Sequence, residues 1–288
     1  MSIENEKNAP MPGTVQFDIV PRAGGPAWRI FLRIPTSEMP KDGWPTLYML
    51  DGNAVIGTAV DAVRVQAAYP LATGVREAAL IAIGYPTDDA YDGVRRSWDL
   101  GPPPGASYPP FTPDGPEVKT GGADAFLAFI EEELKPEIAR RLTVDPKRQA
   151  IFGHSFGGLF VLHMLFNRPD AFANWIAISP AIWWEDAVVK KGMAGFAANP
   201  RPARVLLAAA EYEQTLAPFQ EHQSDREARL ARLTVSRGLD DTHEMAAWLA
   251  ALPGVHAECV VFEGETHMSV LPVAVNRTVR FAFGPDAP

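Results

Sequence analysis

Residues 149–158 read Gln-Ala-Ile-Phe-Gly-His-Ser-Phe-Gly-Gly, an apolar run that enters Gly-x-Ser-x-Gly and leaves into the apolar-periodic stretch Leu159 to Phe166. Strand, tight turn and helix in that order are the setting of a nucleophile elbow, in which a strained bend lifts a serine hydroxyl above the sheet edge. Ser155 is therefore the candidate nucleophile. Gly153 and Gly157 are both expected to be required by the tightness of the turn. The Phe156 N–H opens the helix, where unpaired amides and the helix dipole favour the oxyanion of a tetrahedral intermediate. A serine hydroxyl also needs a base, and the base an orienting acid.

In a sheet that carries such an elbow the partners follow in chain order serine, acid, histidine, each on a loop after a later strand. His267 lies in Glu263-Gly-Glu-Thr-His-Met-Ser, directly after an apolar strand ending at Phe262 and before the last helix, and is the candidate base. His154, inside the elbow, and His163, on the helix behind it, read as packing or supporting groups. His222 and His243 fall in charged, helix-like surface stretches, and His256 leads into a strand. For the acid, the run Val205 to Ala210 ends in Glu211-Tyr212-Glu213, two carboxylates at the correct place in the topology. Glu213 and Glu211 both stay open on the residues alone. Asp240 and Asp241 compete, but Asp before an apolar-periodic run normally caps a helix. The second oxyanion donor is expected from the Asn53 N–H, with Gly52 letting the backbone of Asp51-Gly52-Asn53 turn close to the serine.

These groups need a scaffold. Apolar runs predict strands at 15–20, 28–34, 46–50, 80–83, 150–152, 175–178, 205–209 and 257–262, and helical patterns fill 58–68, 123–141, 156–167, 241–252 and about 270–283. After an antiparallel start, strands alternate with helices. That predicts a mostly parallel sheet of about eight strands with helices on both faces, binding ligands beyond the carboxyl ends of its strands. With no repeat or linker in evidence, residues 1–288 are expected to form one domain. Proline clusters at 102–116, so the stretch near 101–117 reads as a long ordered loop or flap.

Composition narrows the partners. A net charge of −9 argues against nucleic acid, which needs a basic face. No apolar run approaches a membrane span. The single Cys259 allows no intramolecular disulfide and is expected to be a buried, inert strand residue. Met1 to Pro10 lack a basic segment followed by an apolar one, so a cytoplasmic location is the expectation. The histidines and acids lack metal-ligand spacing, and neither a metal nor another cofactor is expected.

The segments Tyr48-Met-Leu-Asp-Gly-Asn-Ala54, Arg95-Arg-Ser-Trp-Asp99, Asp145 through Gly158, Ile178-Ser-Pro-Ala-Ile-Trp-Trp184 and Glu263-Gly-Glu-Thr-His267 together resemble the esterase D-like branch of the α/β-hydrolase superfamily. Within it they are similar to the trilactone siderophore esterases that cleave enterobactin, salmochelin and bacillibactin. The resemblance implies the α/β-hydrolase fold, Ser155 as nucleophile and His267 as base. Relatives show Gly-Glu-Leu-Glu where this chain has Ala210-Glu-Tyr-Glu213, which favours Glu213, while the altered residue 210 keeps Glu211 in play and a Ser–His dyad is an alternative. For substrate, Trp98, Trp183 and Trp184, read on loops after strands, are expected to wall an aryl group together with Tyr108 and Phe111. Arg95 and Arg96 are expected to pair with an anion or stack on catechol rings. The reading is a serine esterase of a small-molecule ester, with a catecholate trilactone as substrate. A general carboxylesterase for feruloyl, acetyl or S-acyl esters is the alternative, and a catalytically silent binding protein on the same fold the alternative from another class.

Overall fold

The computed structural model describes residues 10–284. The strands are β1 (Thr14–Ile19), β2 (Trp28–Arg33), β3 (Trp44–Leu50), β4 (Ala79–Gly84), β5 (Ser107–Tyr108), β6 (Val118–Lys119), β7 (Val144–His154), β8 (Asn174–Ile178), β9 (Ala203–Tyr212) and β10 (Val255–Thr266). Eight of them form one sheet in the order β1-β2-β4-β3-β7-β8-β9-β10, antiparallel at β1/β2 and β2/β4 and parallel from β4 onward. β3, β4 and β8 are buried along their whole length. Their near-continuous apolar sequences are what a strand covered on both faces requires.

One face of the sheet is covered by the helical segment 123–141 and the helices Phe156–Asn167 and Gly238–Ala250, around a core that includes Trp28, Tyr48, Phe126, Phe160 and Trp175. The other is covered by the helices Gly52–Ala67 and Val270–Phe283, packed over Met49, Phe152 and Leu206. The order along the sheet reverses between β3 and β7. A crevice therefore opens beyond their carboxyl ends, which are Leu50 and His154.

Several elements differ from the sequence expectation. The first covering helix starts at Gly52 instead of 58, because Asp51 takes a left-handed conformation (φ 54) and turns the chain straight out of β3. The helix Gly93–Leu100 was not expected; the Asp92 carboxylate starts it by accepting from the Arg95 N–H at 3.0 Å. Arg95, Arg96 and Trp98 thus ride on a helix, not a loop. The helix expected at 241 starts at Gly238, so Asp240 and Asp241 lie inside its first turn. Asp241 accepts from Lys190 (3.0 Å) and Asp240 from Gln214 (3.1 Å) instead of capping. Segment 123–141 widens into a π turn at Ile130–Leu134, next to Pro136, which has no N–H to continue the regular ladder.

Within the proline-rich stretch the β5/β6 pairing ties down the segment 109–117. Cys259 is on a strand as expected but is not buried: β10 is the sheet's edge, and the thiol side is exposed. The N-terminal stretch read for a leader lies, up to residue 9, outside the described residues. Among the described residues no helix is long and apolar enough to cross a membrane.

Candidate active site

Ser155 stands at the end of β7 with φ 58 and ψ −115, a conformation costly for a residue with a side chain. The helix Phe156–Asn167 starts at once, its first bond running from the Leu159 N–H to the Ser155 carbonyl at 3.0 Å. The glycine requirement differs from expectation. A Cβ on Gly153 would fall 2.2 Å from the Gly157 carbonyl carbon, whereas one on Gly157 would meet Leu50 at an ordinary 3.5 Å. The tight approach at the elbow is borne by residue 153 alone of the two.

Three side chains from three strand ends converge. The Ser155 hydroxyl donates to His267 Nε2 at 3.0 Å, and His267 Nδ1–H donates to Glu213 Oε2 at 3.0 Å and Oε1 at 3.1 Å. Glu213, at the end of β9, is buried, while His267 follows β10 and stays partly open to solvent. The two glutamates left open by the sequence part company here. Glu211 is exposed and accepts from the Gly264 N–H at 2.7 Å, which ties down the turn that precedes His267. Room for Glu213 comes from Gly238, where a Cβ would sit 3.2 Å from Glu213 Oε2 and 3.3 Å from its Cβ.

His154 supports the same corner. It is buried, and its Nε2–H donates to the His267 carbonyl at 2.8 Å, with the two rings 4.8 Å apart. Burial, helped by the neighbouring His267, pushes its pKa down to about 3. It stays neutral and keeps the proton it donates. His163 is occupied with Asp124 at 2.7 Å, and His222, His243 and His256 are exposed.

On the β3 side, the Asn53 side chain donates to the Tyr85 and Thr87 carbonyls (3.1 and 2.8 Å) and accepts from the Tyr85 N–H (2.9 Å). This clamp fixes the first turn of the helix Gly52–Ala67, on which the Asn53 amide sits. Asp51 is paired with Arg96 in a two-pronged ion pair (2.8 and 2.7 Å), with Asp51 buried and Arg96 partly so. Burial works against the Arg96 charge, but Asp51 outweighs it and holds the guanidinium above its ordinary value.

The cavity at Ser155 encloses about 570 Å³ and is lined by Ser155, His267, Glu213, Ser179, Trp183 and the inner side of the helix Arg226–Ser236. Of the residues expected to bind substrate, Trp183 is the one that lines this cavity. Trp184 packs edge-on against Phe156 (4.6 Å) and beside Tyr108 (5.0 Å), and so braces the elbow. Arg95 donates to the Ala27 and Pro26 carbonyls (2.6 and 3.2 Å) and stacks on Tyr85. With Trp98 it lines a separate cavity of about 850 Å³ alongside Trp28, Phe126 and Phe129. Arg96 is committed to Asp51. The arginines that do line the Ser155 cavity, Arg229 and Arg232, were missed. They sit in a charged run whose sequence signal was three spaced apolar residues, Leu230, Leu233 and Val235, on the same helix. Among the described residues no group of three His, Cys, Asp or Glu side chains could hold a metal ion.

Comparison with known proteins adds an independent line. Residues 25–259 match the family model described as "Putative esterase". The ferri-bacillibactin esterase BesA of Bacillus subtilis is 41% identical over 96% of this chain and 92% of its own. The siderophore triacetylfusarinine C esterase of Aspergillus fumigatus is 32% identical over 95% and 94%. Among solved structures, the BES protein of Bacillus cereus superposes with a TM-score of 0.83 at 31% identity, covering 98% of this chain and all of that one.

Proposed function

The chain belongs to this esterase family and is an ester hydrolase, and from that premise we propose that it is a serine esterase that opens the ester ring of a catechol-bearing siderophore. The observation that carries the mechanism is the unbroken relay from Ser155 Oγ through His267 to Glu213, at 3.0 Å in both steps and inside a cavity. With its Nδ1 proton held by Glu213, His267 presents an Nε2 lone pair to the Ser155 hydroxyl, which is the tautomer a general base requires. Ser155 Oγ attacks the scissile carbonyl as its proton passes to Nε2. The oxyanion is met by the Phe156 N–H at the helix start and by the Asn53 N–H on the clamped turn opposite.

Glu213 stabilises the imidazolium, which then protonates the departing alkoxide, and the first alcohol leaves. Water, deprotonated by His267, attacks the acyl-enzyme and frees Ser155 with a carboxylic acid product. Trp183 supplies a flat wall for an aryl arm beside the nucleophile. The substrate reading rests on relatives whose names specify siderophore esters, and on a cavity that combines an aromatic wall with cationic side chains. Incubating the protein with a ferric catecholate trilactone and following products by mass spectrometry tests it. Stepwise gain of water, absent in Ser155→Ala, is expected; an intact trilactone under conditions where 4-nitrophenyl butyrate is cleaved would remove the substrate assignment.

A further inference from the structure

The helix Arg226–Ser236 is built unlike the elbow helix Phe156–Asn167. None of its residues is buried, whereas the elbow helix buries ten of its residues. One side of it nevertheless lines the Ser155 cavity with Arg229, Arg232, Leu233 and Val235. Arg229 has one guanidinium nitrogen on Asp225 at 2.8 Å, while its Nε is shielded from water without a partner. Arg232 is exposed and has no ion pair among the described residues. Three other basic groups of this region are engaged: Arg226 with Glu221, Arg237 with Glu244, Lys190 with Asp241. The one carboxylate that lines the cavity, Glu213, is satisfied by His267.

Two guanidinium groups with unspent hydrogen-bonding capacity at the mouth of a cavity, in a chain of net charge −9, form a local positive site. Repulsion from the rest of the molecule would otherwise disfavour an anion there. Resting on the siderophore-ester reading, we propose that Arg229 and Arg232 are specificity-determining residues that read the charge of the substrate and select the iron-loaded over the iron-free form. Three catecholates, each losing two protons to bind one ferric ion, give a complex of charge about −3, while the iron-free ligand is close to neutral at pH 7; planar guanidinium groups suit the exposed catecholate oxygens. Leu233 and Val235 cover the apolar ring edges beside them. Neither arginine touches the reacting atoms, so their effect is on selection and not on the chemical step.

The test uses an anion that the enzyme cannot cleave. A ferric tris-catecholate complex made from three separate catechol amides carries the charge without an ester, and is assayed as an inhibitor of 4-nitrophenyl butyrate hydrolysis. In the wild type this complex is expected to inhibit competitively, more weakly as salt rises. The ratio of KM for the neutral ester to Ki for the anion should fall at least about tenfold in Arg229→Gln/Arg232→Gln and be partly restored in Arg229→Lys/Arg232→Lys. Absence of inhibition in the wild type, or a ratio that stays constant in the glutamine variant, overturns the proposal. If the ratio falls but the wild type leaves a ferric trilactone intact, the anion site stands and the siderophore reading fails.

Discussion

Among the described residues, two sizeable cavities lie near the carboxyl edge of the sheet, and the larger of the two is the worse candidate for chemistry. The cavity between Trp28 and Trp98 encloses about 850 Å³ against about 570 Å³ at Ser155, and it holds four aromatic rings to one. Its less exposed polar groups, Arg95, Asp99 and Glu133, are spent on the fold. Arg95 is tied to the Ala27 and Pro26 carbonyls, and Asp99, whose pKa burial raises against the opposing pull of Trp28 and Arg95, accepts from the Trp28 indole at 2.7 Å. In the smaller cavity a hydroxyl, an imidazole and a carboxylate line up, and two arginines keep capacity in reserve. Volume and aromatic content describe what could fit. Unspent polar groups describe what could happen.

The difference between the cavities is tested most severely at Ser155. Ser155→Ala should lower kcat/KM for any ester by on the order of 10⁴-fold or more with the fold intact by circular dichroism, and residual turnover near wild type would move the chemistry elsewhere. Next, Glu213→Gln should cost about 10² to 10⁴-fold, and Glu211→Gln about tenfold at most, since the second carboxylate anchors only a backbone amide. Equal losses would mean that neither orients the base. Gly153→Ala should destabilise by about 3 kcal/mol in denaturant titrations, because its methyl group overlaps the Gly157 backbone, while Gly157→Ala should change stability by less than about 1 kcal/mol.

Smaller effects set the two cavities further apart. Trp183→Ala should reduce kcat/KM for a catechol-bearing ester about five- to tenfold more than for 4-nitrophenyl acetate, and Trp98→Ala should show no such preference. A preference carried by Trp98 instead would put the aryl arm in the larger cavity. The smallest expected change is a slope. His154 binds a proton in the folded protein only near pH 3, but in the unfolded chain near the ordinary value of about 6.5. Between those values the unfolded state holds more protons, so stability rises with pH through this window and the contribution is level above it. In His154→Gln the midpoint of urea unfolding should climb less steeply from pH 4 to 6, and an unaltered slope would mean that His154 is protonated in the fold.

Legibility in the sequence followed the same division. Ser155, His267 and a glutamate after β9 were readable because each is fixed by one strand end, and buried parallel strands announce themselves as apolar runs. Choosing Glu213 over Glu211 from geometry required the register of β9 against β10, where a bulge after Phe262 carries the ladder on to Thr266 and Tyr212. No local pattern encodes that. The helix Gly93–Leu100 is mostly polar and only eight residues long, so its arginines read as free cations when they are in fact internal braces. Arg229 and Arg232 were invisible for the opposite reason. Their helix contributes no buried residue to the core, and its charges look like those of any solvated surface.

Gly238 begins the helix after the arginine-bearing one, and its missing side chain leaves the space that the Glu213 carboxylate occupies. Far apart in sequence, the two residues share one small volume. An inherited exchange of Gly238 for a larger residue would crowd Glu213 out of line with His267 unless the acid shortened or moved in the same lineage. Across descendants of this chain, the two positions are therefore expected to co-vary as a pair, and a lineage that has lost the glycine is where an altered proton relay should be sought.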